Sequence, residues 1–161
     1  MKLLGRLSKN INQGVEFLIF LMGFSMALIV VIQVFFRYVL NYSLFWSEEL
    51  ARYLLIWLTF LGTSSAYFRH VHPGVDFIYS RMPQKLKYIS AILVHIISIC
   101  IFGIMIVFGS QFAWFVRLQI SPALSLPKWI IAGIIPVSGF ILILHGFVFL
   151  IDEFKRLKND S

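Results

Sequence analysis

The chain has 161 residues, of which 60% are hydrophobic and 13% charged, with 14 Lys and Arg against 7 Asp and Glu and a formal net charge of +7. Soluble domains average about 45–50% apolar and about 25% charged residues, and a domain this small leaves roughly a third of its unfolded surface in water, so the apolar excess belongs against lipid. At about 20 residues per crossing, four crossings use up the chain, which excludes a soluble catalytic domain, a nucleotide-binding βαβ unit or a large extramembrane loop. The basic residues sit in short clusters between apolar runs, the pattern of membrane flanks and not of a nucleic-acid-binding surface.

The pattern predicts an all-α integral membrane protein forming one membrane domain, with spans at about 15–36, 48–68, 88–112 and 129–151. The uncharged run from Phe17 to Phe36 follows a basic tail with Lys2, Arg6 and Lys9. It is longer than a signal-peptide core and ends on Phe35-Phe36-Arg37 without a small-residue cleavage site, so it reads as a retained helix. For the second span, Ser47 is the expected N-cap, with Glu48 and Glu49 in the first turn where the helix dipole favours carboxylates. The third uncharged stretch, Tyr88 to Val116, exceeds one crossing and is expected to tilt or to end before the aromatic belt of Phe112, Trp114 and Phe115. Leu118 to Pro127, with its prolines and serines, reads as an irregular loop, and Pro136 predicts a kink in the fourth span. Between spans two and three, His70 to Lys87 is too polar to cross. Ile78, Tyr79, Met82 and Leu86 recur there at helical spacing, as expected of a short amphipathic helix in the headgroup plane.

Ten Lys and Arg fall in the N-terminal tail, the middle loop and the C-terminal tail, against four (Arg37, Arg52, Arg117, Lys128) on the other side. The positive-inside rule then places both termini in the cytoplasm. The single Cys100 lies in an apolar run and can form neither an internal disulfide nor a thiolate metal site. Gly23 with Ala27 and Gly62 with Ala66 are small-xxx-small pairs that let helices approach closely.

Charged residues concentrate between the first two spans, at Arg37 and in Trp46-Ser47-Glu48-Glu49-Leu50-Ala51-Arg52. Glu48 and Glu49 lie four and three residues before Arg52, so either acid can pair with it on one helix face, leaving the other for Arg37 across the hairpin. The expected role is a clamp for the hairpin or a subunit contact. Binding of a transported cation is the sharper alternative, and a glycosidase-like carboxylate pair is disfavoured because adjacent helix residues diverge by about 100°. His70, His72 and Asp76 could ligate a metal, but no further ligand is near to complete the usual three or four of a zinc site, and local capping beside Pro73-Gly74 is the expected role. His95 and His145 each fall about 10 Å inside the cytoplasmic edge. Each is expected to bond a neighbouring helix's hydroxyl or carbonyl. The alternative is a facing pair that ligates a b-type haem in a respiratory membrane anchor.

As a set, these residues resemble the small membrane subunit of tripartite ATP-independent periplasmic (TRAP) transporters, the DctQ-like family. The likeness rests on Arg37, on Trp46 to Arg52, on Leu61-Gly62-Thr63, on His72-x-x-x-Asp76-Phe77, and on Leu126-Pro127-Lys128-Trp129 with Pro136. It runs over essentially the whole chain. Pro73-Gly74 departs from the pattern where an in-plane helix would start. The resemblance implies a scaffold subunit in the bacterial inner membrane, with no enzymatic activity, cofactor or metal of its own. Its partners would be a large membrane subunit holding the substrate and sodium sites and a periplasmic binding protein that delivers an organic acid. A C4-dicarboxylate, a keto acid or sialic acid is implied as that substrate. Arg37, Trp46, Glu48, Glu49, Arg52, His72 and Asp76 match motif positions and are expected to serve scaffold integrity or docking. Some relatives are fused to the large subunit, whereas this chain stops at Ser161, as expected of a separately encoded subunit.

Overall fold

The computed structural model describes residues 2–69 and 83–159. Over these the chain forms α1 (Lys2–Tyr38), α2 (Phe45–Phe68), α3 (Gln84–Phe115), α4 (Lys128–Ala132) and α5 (Ile134–Asn159). Three stretches are long and apolar enough to cross a membrane: Leu4–Tyr38, Leu86–Phe115 and Lys128–Lys158, the last running through α4 and α5. His72, Asp76 and most of the predicted in-plane helix lie outside the described residues, and Gln84 to Lys87 belong to the start of α3.

Several boundaries depart from the sequence reading for identifiable reasons. The basic tail is no tail: α1 begins at Lys2 and runs 37 residues, about 55 Å at 1.5 Å per residue. Its first turns hold because Ser8, Asn12 and Val15, three and four apart on one face, are buried against the other helices. Ser47 does not cap α2. The helix starts two residues earlier at Phe45, and Leu44 occupies the N-cap position without a side-chain bond. The Ser47 hydroxyl instead donates back to the Leu44 carbonyl at 2.7 Å. α3 continues past the expected end at 112 to Phe115, where Arg117 stacks on Trp114 at 3.9 Å. In the last span the interruption falls at Gly133, between α4 and α5, so that Pro136 sits in the first turn of α5. A proline ring clashes with the carbonyl four residues earlier and offers no N–H, so the break is displaced into the preceding turn.

The helices pack as two antiparallel pairs, α1 on α2 and α3 on α5. α5 also packs on α2 and α1 and so joins the pairs. Accordingly a third of the most apolar window of that last span is buried, against 6% for α1, and Ile134, Leu142 and His145 are the largest fully enclosed side chains. The close approaches are not where the small-xxx-small pairs suggested. A Cβ on Gly23 or Gly62 meets nothing within 4 Å, because Met22, Trp57 and Phe60 fill the region around Val15 and Leu61. Close contact falls instead on the α3–α5 seam. A Cβ on Gly109 would stand 2.7 Å from Ile135 Cγ2, and one on Gly139 2.8 Å from Ile106 Cγ1 and 3.3 Å from the Phe102 carbonyl.

Candidate functional site at the two ends of the helical bundle

The turn joining α1 to α2 reverses the chain through Asn41, whose φ of 50° is one that asparagine tolerates better than most residues. This brings the end of α1 beside the start of α2. Arg37 and Glu48 approach to 3.8 Å, both more than half exposed, and Gln33 Nε2 donates to Glu48 Oε1 at 3.1 Å. The expected partner of the acids, Arg52, makes no ion pair with either among the described residues. Glu49 is committed elsewhere. It accepts a hydrogen bond from the Tyr53 hydroxyl and, through its other oxygen, from the backbone N–H groups of Ala123 at 2.7 Å and Leu124 at 3.1 Å. Trp46 is well exposed on the same first turn.

Those bonds order the segment that the sequence presents as an irregular loop. Ser121 N–H donates to the Leu126 carbonyl and Lys128 N–H to the Gln119 carbonyl, both at 2.9 Å. The Ser121 hydroxyl accepts from Leu126 N–H, and Ser125 takes a positive φ of 54° to close the turn. Between this turn, α2 and the α3 and α4–α5 helices lies a groove of about 1000 Å³. Arg52, Lys128, Glu48 and Glu49 line its loop end, and Ile56, Phe60, Phe112, Ile131 and Ile135 its remaining wall.

The opposite end carries a tighter polar cluster that the sequence reading passed over. Glu16 Oε1 accepts from Asn12 Nδ2 at 2.7 Å, Arg69 Nε at 2.8 Å and Ser65 Oγ at 3.0 Å. One carboxylate oxygen on α1 thereby ties down the far end of α2. Beside it, the fully buried Ser8 hydroxyl and His145 Nδ1 share a hydrogen bond of 2.7 Å between α1 and α5. The Tyr67 hydroxyl and His95 Nδ1 share one of 2.9 Å between α2 and α3. Asn12 Oδ1, Ser64 Oγ and His145 Nε2 are buried without a hydrogen-bond partner among the described residues. The available signal was a lone acid one residue before an uncharged run, together with small polar residues at helical spacing in the supposed tail.

A model of the family "Tripartite ATP-independent periplasmic transporters, DctQ component" matches residues 26–156. The chain belongs to the DctQ family. It is 28% identical over 146 residues to the C4-dicarboxylate TRAP transporter small permease protein DctQ of Vibrio cholerae, covering 89% of this chain and 59% of that protein. It is 30% identical over 132 residues to the isethionate TRAP transporter permease protein DctMQ of Oleidesulfovibrio alaskensis, covering 74% of this chain and 20% of that protein. To the sialic acid TRAP transporter small permease protein SiaQ of Vibrio cholerae it is 30% identical over 115 residues, covering 70% of this chain and 64% of that protein. The chain thus spans less than two thirds of the length of each of these relatives.

Family and apolar spans together make this DctQ-family chain a multi-pass protein of the bacterial inner membrane and a transporter component. Its intramembrane histidines act as interhelical ties, each bonded to a hydroxyl on a neighbouring helix as the sequence led one to expect. Their surroundings are the chain's own rings. Phe149 lies against His95 at 5.8 Å, Phe68 against His145 at 5.0 Å, and the two phenyl rings meet at 6.1 Å.

Proposed function

We propose that this chain is the small scaffold subunit of a sodium-coupled TRAP transporter. It acts with a large membrane subunit that carries the substrate and sodium sites, and with a periplasmic binding protein that delivers an organic acid such as a C4-dicarboxylate, a keto acid or sialic acid. The observation that carries this reading is the family match over residues 26–156. Relatives of near-equal identity are named for three different compounds, which supports placing specificity in another part of the transporter. The DctMQ match, a fifth of a longer chain, supports a large membrane partner.

The polar groups support the same division of labour. Glu16, Glu48 and Glu49 are spent on neighbouring helices and turns, as suits a frame better than a site that binds and releases an ion. In this reading α2, which lies antiparallel along α1, is the fourth crossing, and both termini face the cytoplasm, a placement supported by the ten-to-four distribution of cations. An in-plane helix between α2 and α3 completes the scaffold. Arg37, Trp46, Glu48, Glu49, His72 and Asp76 serve scaffold integrity or docking to the large subunit. Arg52 belongs to the docking or ligand surface and not to the hairpin clamp. The subunit catalyses no reaction and is inactive alone.

The test is reconstitution into liposomes of this chain, the large subunit encoded beside it and the matching binding protein. Sodium-driven uptake of a labelled organic acid is then measured with each component omitted in turn. Uptake that needs all three is the expected result. Undiminished uptake without this chain, or a Soret band in the purified subunit, overturns the proposal.

A further inference from the structure

We propose that the groove between α2, α3 and the α4–α5 segment is a binding site for one anionic phospholipid, with its phosphate at Arg52 and Lys128 and an acyl chain along Ile56, Phe60, Ile131 and Ile135. The argument starts from charge. At this end of the molecule four cations face two acids. Glu48 is taken by Arg37 and Gln33, Glu49 by Tyr53 and the backbone of Ala123 and Leu124. Arg117 rests on the Trp114 ring and carbonyl. Arg52 has no ion pair among the described residues, and Lys128 Nζ has only the neutral Gln119 side chain, at 3.2 Å. An arginine at a membrane boundary is costly unless an anion or water meets it, and both cations line the same groove as Glu48 and Glu49, whose oxygens are engaged by Arg37 and Gln33 and by Tyr53, Ala123 and Leu124.

The shape of the groove selects the source of that anion. Phe60 follows Arg52 by eight residues on one helix, about 12 Å deeper, and the wall between them is apolar. A small carboxylate would engage the cations and leave this length unfilled. A phospholipid matches both parts, its phosphate at the cations and its chain along the wall. The groove's about 1000 Å³ stands at the upper end of the volumes that enclose small ligands. The titration of the chain alone does not depend on the transporter reading, and only the arm with the large subunit rests on it.

The test is native mass spectrometry of the full chain, alone and copurified with its large subunit, titrated with phosphatidylglycerol or phosphatidylcholine. One phosphatidylglycerol is expected to bind with preference over phosphatidylcholine. The double variant Arg52→Gln, Lys128→Gln should lower its affinity by at least roughly tenfold, and Lys9→Gln at the far end should not. Ile56→Trp, which fills the wall and leaves the charge unchanged, should lower it as well, with helicity by circular dichroism confirming that each variant is folded. The proposal fails if the double variant binds like the wild type, if phosphatidylcholine binds equally well, or if glycerol 3-phosphate displaces the lipid at equal concentration. It also fails if the two-subunit complex takes up no lipid, which would mean that protein fills the groove.

Discussion

The two ends of the α1–α2 pair hold the same kinds of groups, each with an arginine about 60% exposed, but differ in how many donors meet the acid. At the turn end, Glu48 meets Arg37 across 3.8 Å with both side chains more than half exposed. At the other, one oxygen of Glu16 gathers three donors within 3.0 Å, next to the fully buried Ser8–His145 pair. Exposed ion pairs gain little because water screens them and long side chains lose freedom in making them. Donors converging on one carboxylate make shorter and stronger bonds. The conspicuous Arg37–Glu48 pair is therefore the looser fastening, and the inconspicuous N-terminal turns are a firmer one.

The comparison breaks most directly at Glu16. Glu16→Ala strips Asn12, Ser65 and Arg69 of their common acceptor and should give the largest effect, a fall of several degrees in the thermal midpoint of the detergent-solubilised chain and less protein in the membrane. Equal midpoints for Glu16→Ala and Glu48→Ala would show that the two ends do not differ. His145→Leu comes next. It leaves the enclosed Ser8 hydroxyl without its partner and should cost about 1 kcal/mol, intramembrane hydrogen bonds being worth about 0.6 to 2. Denaturant titration measures this, and no loss would mean that water replaces the imidazole.

The same contrast explains what was legible in the sequence. Long uncharged runs fixed the apolar helices, because hydrophobic length against bilayer thickness is a one-dimensional property. The approach of Arg37 to Glu48 was likewise foreseeable, since helix ends joined by a short turn have to meet. The commitment of Glu49 to Ala123 and Leu124 was not, because a contact across 74 residues depends on how α3 and α5 carry the second turn back to α2. The Glu16 cluster was hidden for another reason. Lys2, Arg6 and Lys9 made the first turns resemble a solvated flank, and only the packing of α5 shows that Ser8 and Asn12 face inward. The small-xxx-small pairs misled because spacing alone does not tell which helix face meets another, and the bulky Trp57 and Phe60 lie around the α1–α2 contact.

Glu49 sharpens the outer half of the comparison. Its bonds are local to the second turn, so Glu49→Ala should leave the global midpoint nearly unchanged and raise amide hydrogen exchange at Ala123 and Leu124 several-fold. Unchanged protection there would assign the order of this turn to its own backbone pairing, Ser121 with Leu126 and Lys128 with Gln119.

The smallest effect belongs to the Arg37–Glu48 pair. At 3.8 Å and more than half exposed, a double-mutant cycle of Arg37→Ala and Glu48→Ala should return a coupling of about 0.2–1 kcal/mol that shrinks as salt rises. Gln33 helps to separate the contributions. Its amide donates to the same Glu48 oxygen, so Gln33→Ala should change Glu48 by an increment that salt does not affect. A coupling well above that range, insensitive to salt, would mean that the pair is shielded from water in the assembled membrane protein. The pairing of charge across the hairpin would then mark a surface that another subunit covers, and the outer end would be firm only when assembled, whereas the Glu16 end is firm by itself.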